Sequence, residues 1–232
     1  ALVAQLRDGL RRAEADPAVR AVVLGHTGNT FCAGADLTEP SVSSAGDPYE
    51  AAAARAVELA ATLRAIVECR FPVIAAVDGH VRAGGLGLVG ACDIAVAGPR
   101  CTFALTEARI GVAPAIISLT LLPKLAPRAA ARYFVTGETF TADRAAEIGL
   151  VTVAVDDVSG AVNDLVAELG KASPQGLAAS KALTTAGVLA GFDRDAQRLA
   201  EESARLFVSD EAHEGMLAFL EKRAPRWAEP TI

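Results

Sequence analysis

Three short apolar runs constrain this chain more than any other feature. Arg20-Ala-Val-Val-Leu-Gly25, Phe71-Pro-Val-Ile-Ala-Ala-Val77 and Asp93-Ile-Ala-Val-Ala97 read as buried strands, with helical spacing between the first two. Strands that alternate with helical stretches pair through crossovers, so the expected fold class is α/β with a largely parallel sheet. Leu2 to Ala15 carries apolar residues at 2, 3, 6 and 10, which is helical spacing, and Asp16-Pro17 ends it. Thr27 to Thr30 and Asp78-Gly79 are turn material. Thr38 to Pro48, rich in Ser, Pro and Gly, reads as a mobile loop, and Glu50 to Glu68 as a long alanine-rich helix. Cys101 to Phe103 is a further strand candidate.

From Pro127 onward the pattern is almost wholly helical, with one strand expected at Val151 to Val155. Thr141 is suited to cap a helix over Ala142–Ile148 and Gly149 to stop it. Asp157 to Lys222 reads as several amphipathic helices. The shift near residue 155 divides the expectation into an α/β core, 1–155, and a helical region, 156–232, for packing and oligomerisation. The chain opens in a helix, whereas α/β folds commonly open on a strand. Strands ahead of Ala1 are therefore expected.

Composition narrows the class of function. With 22 Lys+Arg against 28 Asp+Glu among 232 residues, the formal charge is −6, which argues against general nucleic-acid or anionic-membrane binding. The mean hydropathy of +0.33 comes largely from alanine. The apolar run at Phe71–Val77 is far shorter than the ~18 residues of a spanning helix. The four cysteines (Cys32, Cys69, Cys92, Cys101) form no CxxC pair and read as reduced thiols of a cytoplasmic protein. The three histidines lack zinc spacing, so no metal site is expected.

Gly85-Leu-Gly87-Leu-Val-Gly90 matches the dinucleotide pattern GxGxxG but sits in the wrong context. Seven residues separate it from the preceding strand, and only Ala91 and Cys92 from the next, leaving no room for a crossover helix. No Lys-Ser/Thr follows for a phosphate loop, and no GxSxG serves a hydrolase. Gly84-Gly85 at the entry of a short helix suits a different task. The first N–H groups of a helix have no internal partner and can hold a developing oxyanion. The tight turn Ala33-Gly34-Ala35-Asp36 could offer a second donor. Close packing explains either turn equally well when each is taken alone.

Several segments, taken in order, resemble the crotonase (enoyl-CoA hydratase/isomerase) superfamily. Phe31-Cys-Ala-Gly-Ala-Asp-Leu37 is similar to its AGAD turn and Phe71 to Gly79 to its KPVIAAVNG strand. Ala83-Gly-Gly85 and Ala91-Cys-Asp-Ile94 resemble its GGG and ACDI. Thr106 to Gly111 with Pro114, Thr136-Gly137, Ala145 to Val151 and Glu214 to Arg223 complete a series spanning nearly the whole chain. The resemblance implies a crotonase-like spiral of ββα units with a helical C-terminal portion. It implies an acyl-CoA thioester substrate, with coenzyme A part of the substrate and no separate cofactor. It also implies a homotrimer or dimer of trimers, to which Phe219 and Leu220 could contribute.

The same resemblance assigns roles. Backbone N–H groups of Ala35 and Gly84 would hold the thioester oxygen, and Glu107 would be the catalytic carboxylate. Ala33, Asp36, Leu37 and Lys222 would contact the coenzyme A portion. The residues alone give Asp36 and Asp93 a plainer task, local backbone capping. The acyl pocket is expected between Thr38–Pro48 and Glu50–Glu68.

One departure stands out. The family's first catalytic glutamate falls at position 87, which is Gly87. Hydration of a 2-enoyl thioester is well served by two carboxylates, whereas a shift between 3-enoyl and 2-enoyl thioesters needs one group. Gly84-Gly-Leu-Gly-Leu88 with Glu107 to Ala115 is nevertheless similar to methylglutaconyl-type hydratases, which also lack the usual PGxGG run. His80, Arg82 and Ser118 are the nearest side chains that could supply the missing function. Hydratase therefore ranks first and isomerase second. A non-catalytic acyl-CoA binder, thioester hydrolysis and dehalogenation are further alternatives.

Overall fold

A computed structural model describes residues 2–34 and 47–228. The elements run α1 (Leu2–Ala15), β1 (Val22–Leu24), β2 (Thr30–Cys32), α2 (Pro48–Glu68), β3 (Val73–Val77), β4 (His80–Arg82), α3 (Gly84–Ala91), β5 (Ile94–Ala97) and β6 (Thr102–Ala104). A 3₁₀ turn (Glu107–Ile110) follows, then α4 (Ser118–Leu121), α5 (Pro127–Thr136), β7 (Phe140–Thr141), α6 (Ala142–Glu147) and β8 (Val153–Ala154). Three helices close the chain: α7 (Val158–Gly170), α8 (Pro174–Phe207) and α9 (Asp210–Leu220).

Each β-β-helix unit gives its first strand to one sheet and its second to another. The sheet orders are β1-β3-β5-β8, all parallel, and β2-β4-β6-β7, antiparallel only at β6–β7. This is the ββα spiral that the resemblance implies. The first sheet is held by apolar runs. Val73, Ile74, Ala75 and Val77 are buried, and Ile74 pairs with Ile94. The second sheet is built from shorter, more polar strands joined to the first by tight turns such as Asp78-Gly79.

Two expectations need correction. The region after Pro127 holds two strands, because Phe140–Thr141 pairs with β6 and Phe140 stacks on Phe103, with ring centroids 5.6 Å apart. The second-sheet strand His80–Arg82 also escaped the sequence reading, since only Val81 of its three residues is apolar and buried. Thr141 does cap α6, its Oγ1 accepting from the Arg144 N–H, and Gly149 takes φ 86 just beyond. No helix among the described residues is long and apolar enough to cross a membrane.

Burial accounts for the cysteines as well. Cys69, Cys92 and Cys101 are buried free thiols, and desolvation pushes Cys92 up to about 12. Thiols this hard to ionise are poor nucleophiles. Asp93 is more than a local cap. Its Oδ2 accepts the Val73 N–H at 2.7 Å and pairs with buried Lys181, also at 2.7 Å.

Candidate active site

The carboxyl ends of three neighbouring strands lead to Gly34, Gly84 and Glu107. β2 and β4 run parallel, with Thr30 opposite His80 and Cys32 opposite Val81. Their following turns therefore emerge side by side. Gly34 has φ 94, and a β-carbon there would lie 3.0 Å from the Ala83 methyl. The positive φ calls for glycine, and the close approach of Ala83 adds to it. β4 also pairs with β6, Arg82 lying opposite Ala104, and the Ala83 N–H reaches the Ala104 carbonyl at 3.4 Å. Glu107 follows three residues after Ala104. In open α/β sheets this carboxyl end is where ligands bind.

α3 starts abruptly. Ala83 has φ 47 and ψ −122, a conformation that costs an alanine roughly 1–3 kcal/mol. That reversal lets β4 enter the helix with a single intervening residue. Alanine has no polar side chain to cap the helix, and Ala83 makes no side-chain bond to the N–H groups of the first turn. Among the described residues, a β-carbon at Gly84 would meet only Leu59 of α2, at 3.8 Å and beyond. The Gly84 amide thus heads a helix whose positive end can hold an oxyanion.

Glu107 opens the 3₁₀ turn and is 8% exposed. Its Oε2 has no hydrogen-bond partner among the described residues. Desolvation pushes its pKa up to about 7, with its own backbone N–H pulling the other way. Such a carboxyl can take up and release a proton near neutrality. The turn is braced from two sides: Arg109 Nε donates to the Thr136 carbonyl at 3.0 Å, and α9 packs against it.

Position 87 is filled from elsewhere. A β-carbon on Gly87 would run into Ile117 Cγ2 and lie 2.9 Å from Ile117 Cβ and 3.2 Å from Leu63 Cδ1. Thr120 Oγ1 donates to the Gly87 carbonyl at 3.1 Å, fixing α4 on α3. The three side chains considered as substitutes are otherwise engaged. His80 Nδ1 lies 2.7 Å from Thr102 Oγ1, Arg82 donates to the Thr102 carbonyl at 2.6 Å, and Ser118 Oγ donates to the Ala115 carbonyl at 2.6 Å. A cavity of about 250 Å³ lined by Asp93, Lys124 and Thr152 lies by the other end of α3, and neither Gly84 nor Glu107 lines it.

Ala35, Asp36, Leu37 and nearly all of the expected pocket loop lie outside the described residues. Ala33 lies in the turn beside Ala83. Lys222 sits just past α9 at φ 56, seven residues beyond Gly215, where α9 touches the Glu107 turn. Buried Glu214 holds that end by pairing with Arg223 at 2.7 Å and accepting the Arg226 N–H at 3.0 Å. The Arg223 hydrogen bond drives the Glu214 pKa down to about 2. A depressed acid stabilises the fold above its unfolded value of 4.5 and loses that contribution as pH falls towards 2. In thermal melts the advantage of the natural protein over Glu214→Gln should therefore shrink steadily below about pH 4.5. A gap that stays constant with pH would show that Glu214 is not so paired.

The comparisons with known proteins decide the family. The family model for enoyl-CoA hydratase/isomerase matches residues 1–230. The chain belongs to the enoyl-CoA hydratase/isomerase family. A crystal structure of an enoyl-CoA hydratase from Mycobacterium avium is 71% identical, with a TM-score of 0.91 over 98% of this chain and 86% of that one. A protein named "probable enoyl-CoA hydratase" from Mycobacterium tuberculosis is 35% identical over 200 residues, 85% of this chain and 77% of its own. A peroxisomal Δ(3,5)-Δ(2,4)-dienoyl-CoA isomerase of Arabidopsis thaliana is 26% identical over 226 residues, covering 92% and 81%. Hydratases and isomerases both stand among the relatives of this family member.

Proposed function

We propose that Glu107 is the acid–base group of this enzyme and that the Gly84 N–H is one of two donors to the thioester oxygen of an enoyl-CoA. The observation that carries this reading is the Glu107 carboxyl, buried, unpartnered at Oε2 among the described residues and held near neutrality. A carboxyl with only a structural task would be paired or solvated. The Gly84 amide would stabilise the enolate that forms when a proton leaves or reaches the α-carbon. Loss of one such donor typically costs ~10²–10³ in rate. Resemblance alone supports Ala35 as the second donor and Ala33, Asp36, Leu37 and Lys222 as contacts of the coenzyme A portion.

Hydration of a 2-enoyl thioester ranks first, since most of the named relatives are hydratases. A 1,3-proton shift is the second reading, favoured by Gly87. In this reading coenzyme A belongs to the substrate and no resident cofactor is required. The resemblance also supports a cytoplasmic homotrimer or dimer of trimers, and exposed Leu217, Phe219 and Leu220 in the last turn of α9 are available for such contacts.

The test is incubation in D₂O with a panel of 2-enoyl- and 3-enoyl-CoA thioesters, read by mass and by double-bond position. Water gain indicates hydration. Deuterium exchange with a moved double bond indicates isomerisation. Binding of the thioesters without any exchange across the panel would sink the enzymatic reading and leave a non-catalytic acyl-CoA binder.

A further inference from the structure

Positions 84 and 87 are three residues apart on α3 and share one face of the helix. α2 covers that face in step, Leu59 over Gly84 and Leu63 over Gly87. A side chain at 87 would therefore stand one helical turn from the amide that holds the thioester oxygen. Position 85 offers an acid no such place, since a β-carbon on Gly85 would lie 2.7 Å from Cys32 Cβ and 3.1 Å from the Cys32 carbonyl oxygen. The place is taken by Ile117, 2% exposed, together with Leu63, which is fully buried. Ile117 is held there by α4, whose Thr120 hydroxyl bridges the Gly87 and Ile117 carbonyls at 3.1 and 3.2 Å.

We infer that Ile117 is a specificity-determining residue, which fills the space over Gly87 and so limits the site to chemistry that a single carboxyl can perform. This rests on the assignment of Glu107 above. The apolar side chains of Ile117 and Leu63 fill the space beside Gly87, leaving no room there for the side chain of a second acid. A double-bond shift is complete within such a site: Glu107 takes the proton from one carbon and returns it to another, and the electron pair moves between them. Hydration is more demanding. Water's proton and the proton delivered to the α-carbon must both pass through Glu107 as the hydroxyl adds to the β-carbon.

A double-mutant cycle tests the contact without any substrate. Gly87→Ala should lower the melting midpoint by about 5 °C, as expected for forced overpacking in a domain of this size. In an Ile117→Ala background, which removes the Cγ2 clash but keeps the β-carbon at 2.9 Å and Leu63 Cδ1 at 3.2 Å, the same change should cost clearly less. An equal cost in both backgrounds would overturn the contact. The second arm reads product ratio. Gly87→Glu with Ile117→Ala should raise hydration relative to double-bond shift by at least ~10-fold, the lower reach of an added acid–base group being ~10². A folded double variant with the ratio of the natural protein would overturn the role in specificity. If Glu107 is not the acid–base group, neither product responds to Glu107→Gln while the melting cycle still reports the Ile117 contact, so the two ideas fail separately.

Discussion

Replacing Glu107 by glutamine should lower turnover at least ~10²-fold and, above neutral pH, make the protein more stable. Both effects come from one property. Burial raises the Glu107 pKa from 4.5 to about 7. Below pH 4.5 the group is protonated in the folded and unfolded chain alike, and folding carries no penalty for it. Between 4.5 and about 7 the folded chain keeps a proton that the unfolded chain releases, so the stability contribution is progressively lost. Above 7 the loss is complete and amounts to about 3 kcal/mol at 1.36 kcal/mol per pKa unit. Glutamine carries no charge to desolvate. The melting curves of the two proteins should thus separate as pH rises from 5 to 8, with the variant the higher. In the natural enzyme kcat/KM should climb with an apparent pKa of about 7, because a general base must first lose its proton. Near-natural turnover in the variant, or melting curves that stay parallel across that range, would remove Glu107 from the mechanism.

Such an outcome would place the molecule among enzymes that hold a costly group where chemistry needs it. It also explains why the site was only partly visible in the sequence. Glu107 could be picked out from the neighbouring Gly111 and Pro114, but a carboxylate at a turn is ordinarily solvated. What changes its chemistry is burial, and the turn that carries it is held by α5 and α9, which arrive from 20 to 110 residues later in the chain. The same holds for Gly87. Its lack of a side chain could be read as a lost function, and only the packing of Ile117 shows that the space itself has been reassigned.

The fold was more legible where burial is one-sided or complete over several residues. α1, α2, β3 and β5 declare themselves by periodicity or by unbroken apolar runs. β4 and β7, of three and two residues, exist because β6 lies between them and offers its backbone groups to both. No local propensity could have announced them. α3 is the converse case. Five of its eight residues are not strong helix formers but glycines or β-branched, yet it is helical because its sides pack against α2, α4 and β4. Ala83, whose backbone conformation starts that helix, looks unremarkable as a letter. Its strain is a product of the two turns meeting.

The second large effect concerns Lys181, a residue far from any chemistry. Lys181→Met should cost about 3–5 kcal/mol, the usual result of removing one partner from a buried ion pair. Its ammonium has three protons and three partners: the Ile66 and Phe71 carbonyls, both at 3.0 Å, and Asp93 Oδ2 at 2.7 Å. These belong to α2, to the entry of β3 and to the entry of β5, while Lys181 itself lies on α8. One side chain therefore ties the long C-terminal helix to both central strands of the first sheet. Methionine fills much the same volume, so the loss measures the polar contacts rather than a cavity. It leaves Asp93 with the Val73 N–H alone and two carbonyls without a donor. Changing Asp93 to asparagine in the same chain removes the stranded charge. The double variant should then lose clearly less than the sum of the two single losses, a coupling of at least ~1 kcal/mol by urea denaturation. Strict additivity, or a Lys181→Met loss below about 1 kcal/mol, would show that the helix is held by its apolar contacts with α2 and that the ion pair is incidental.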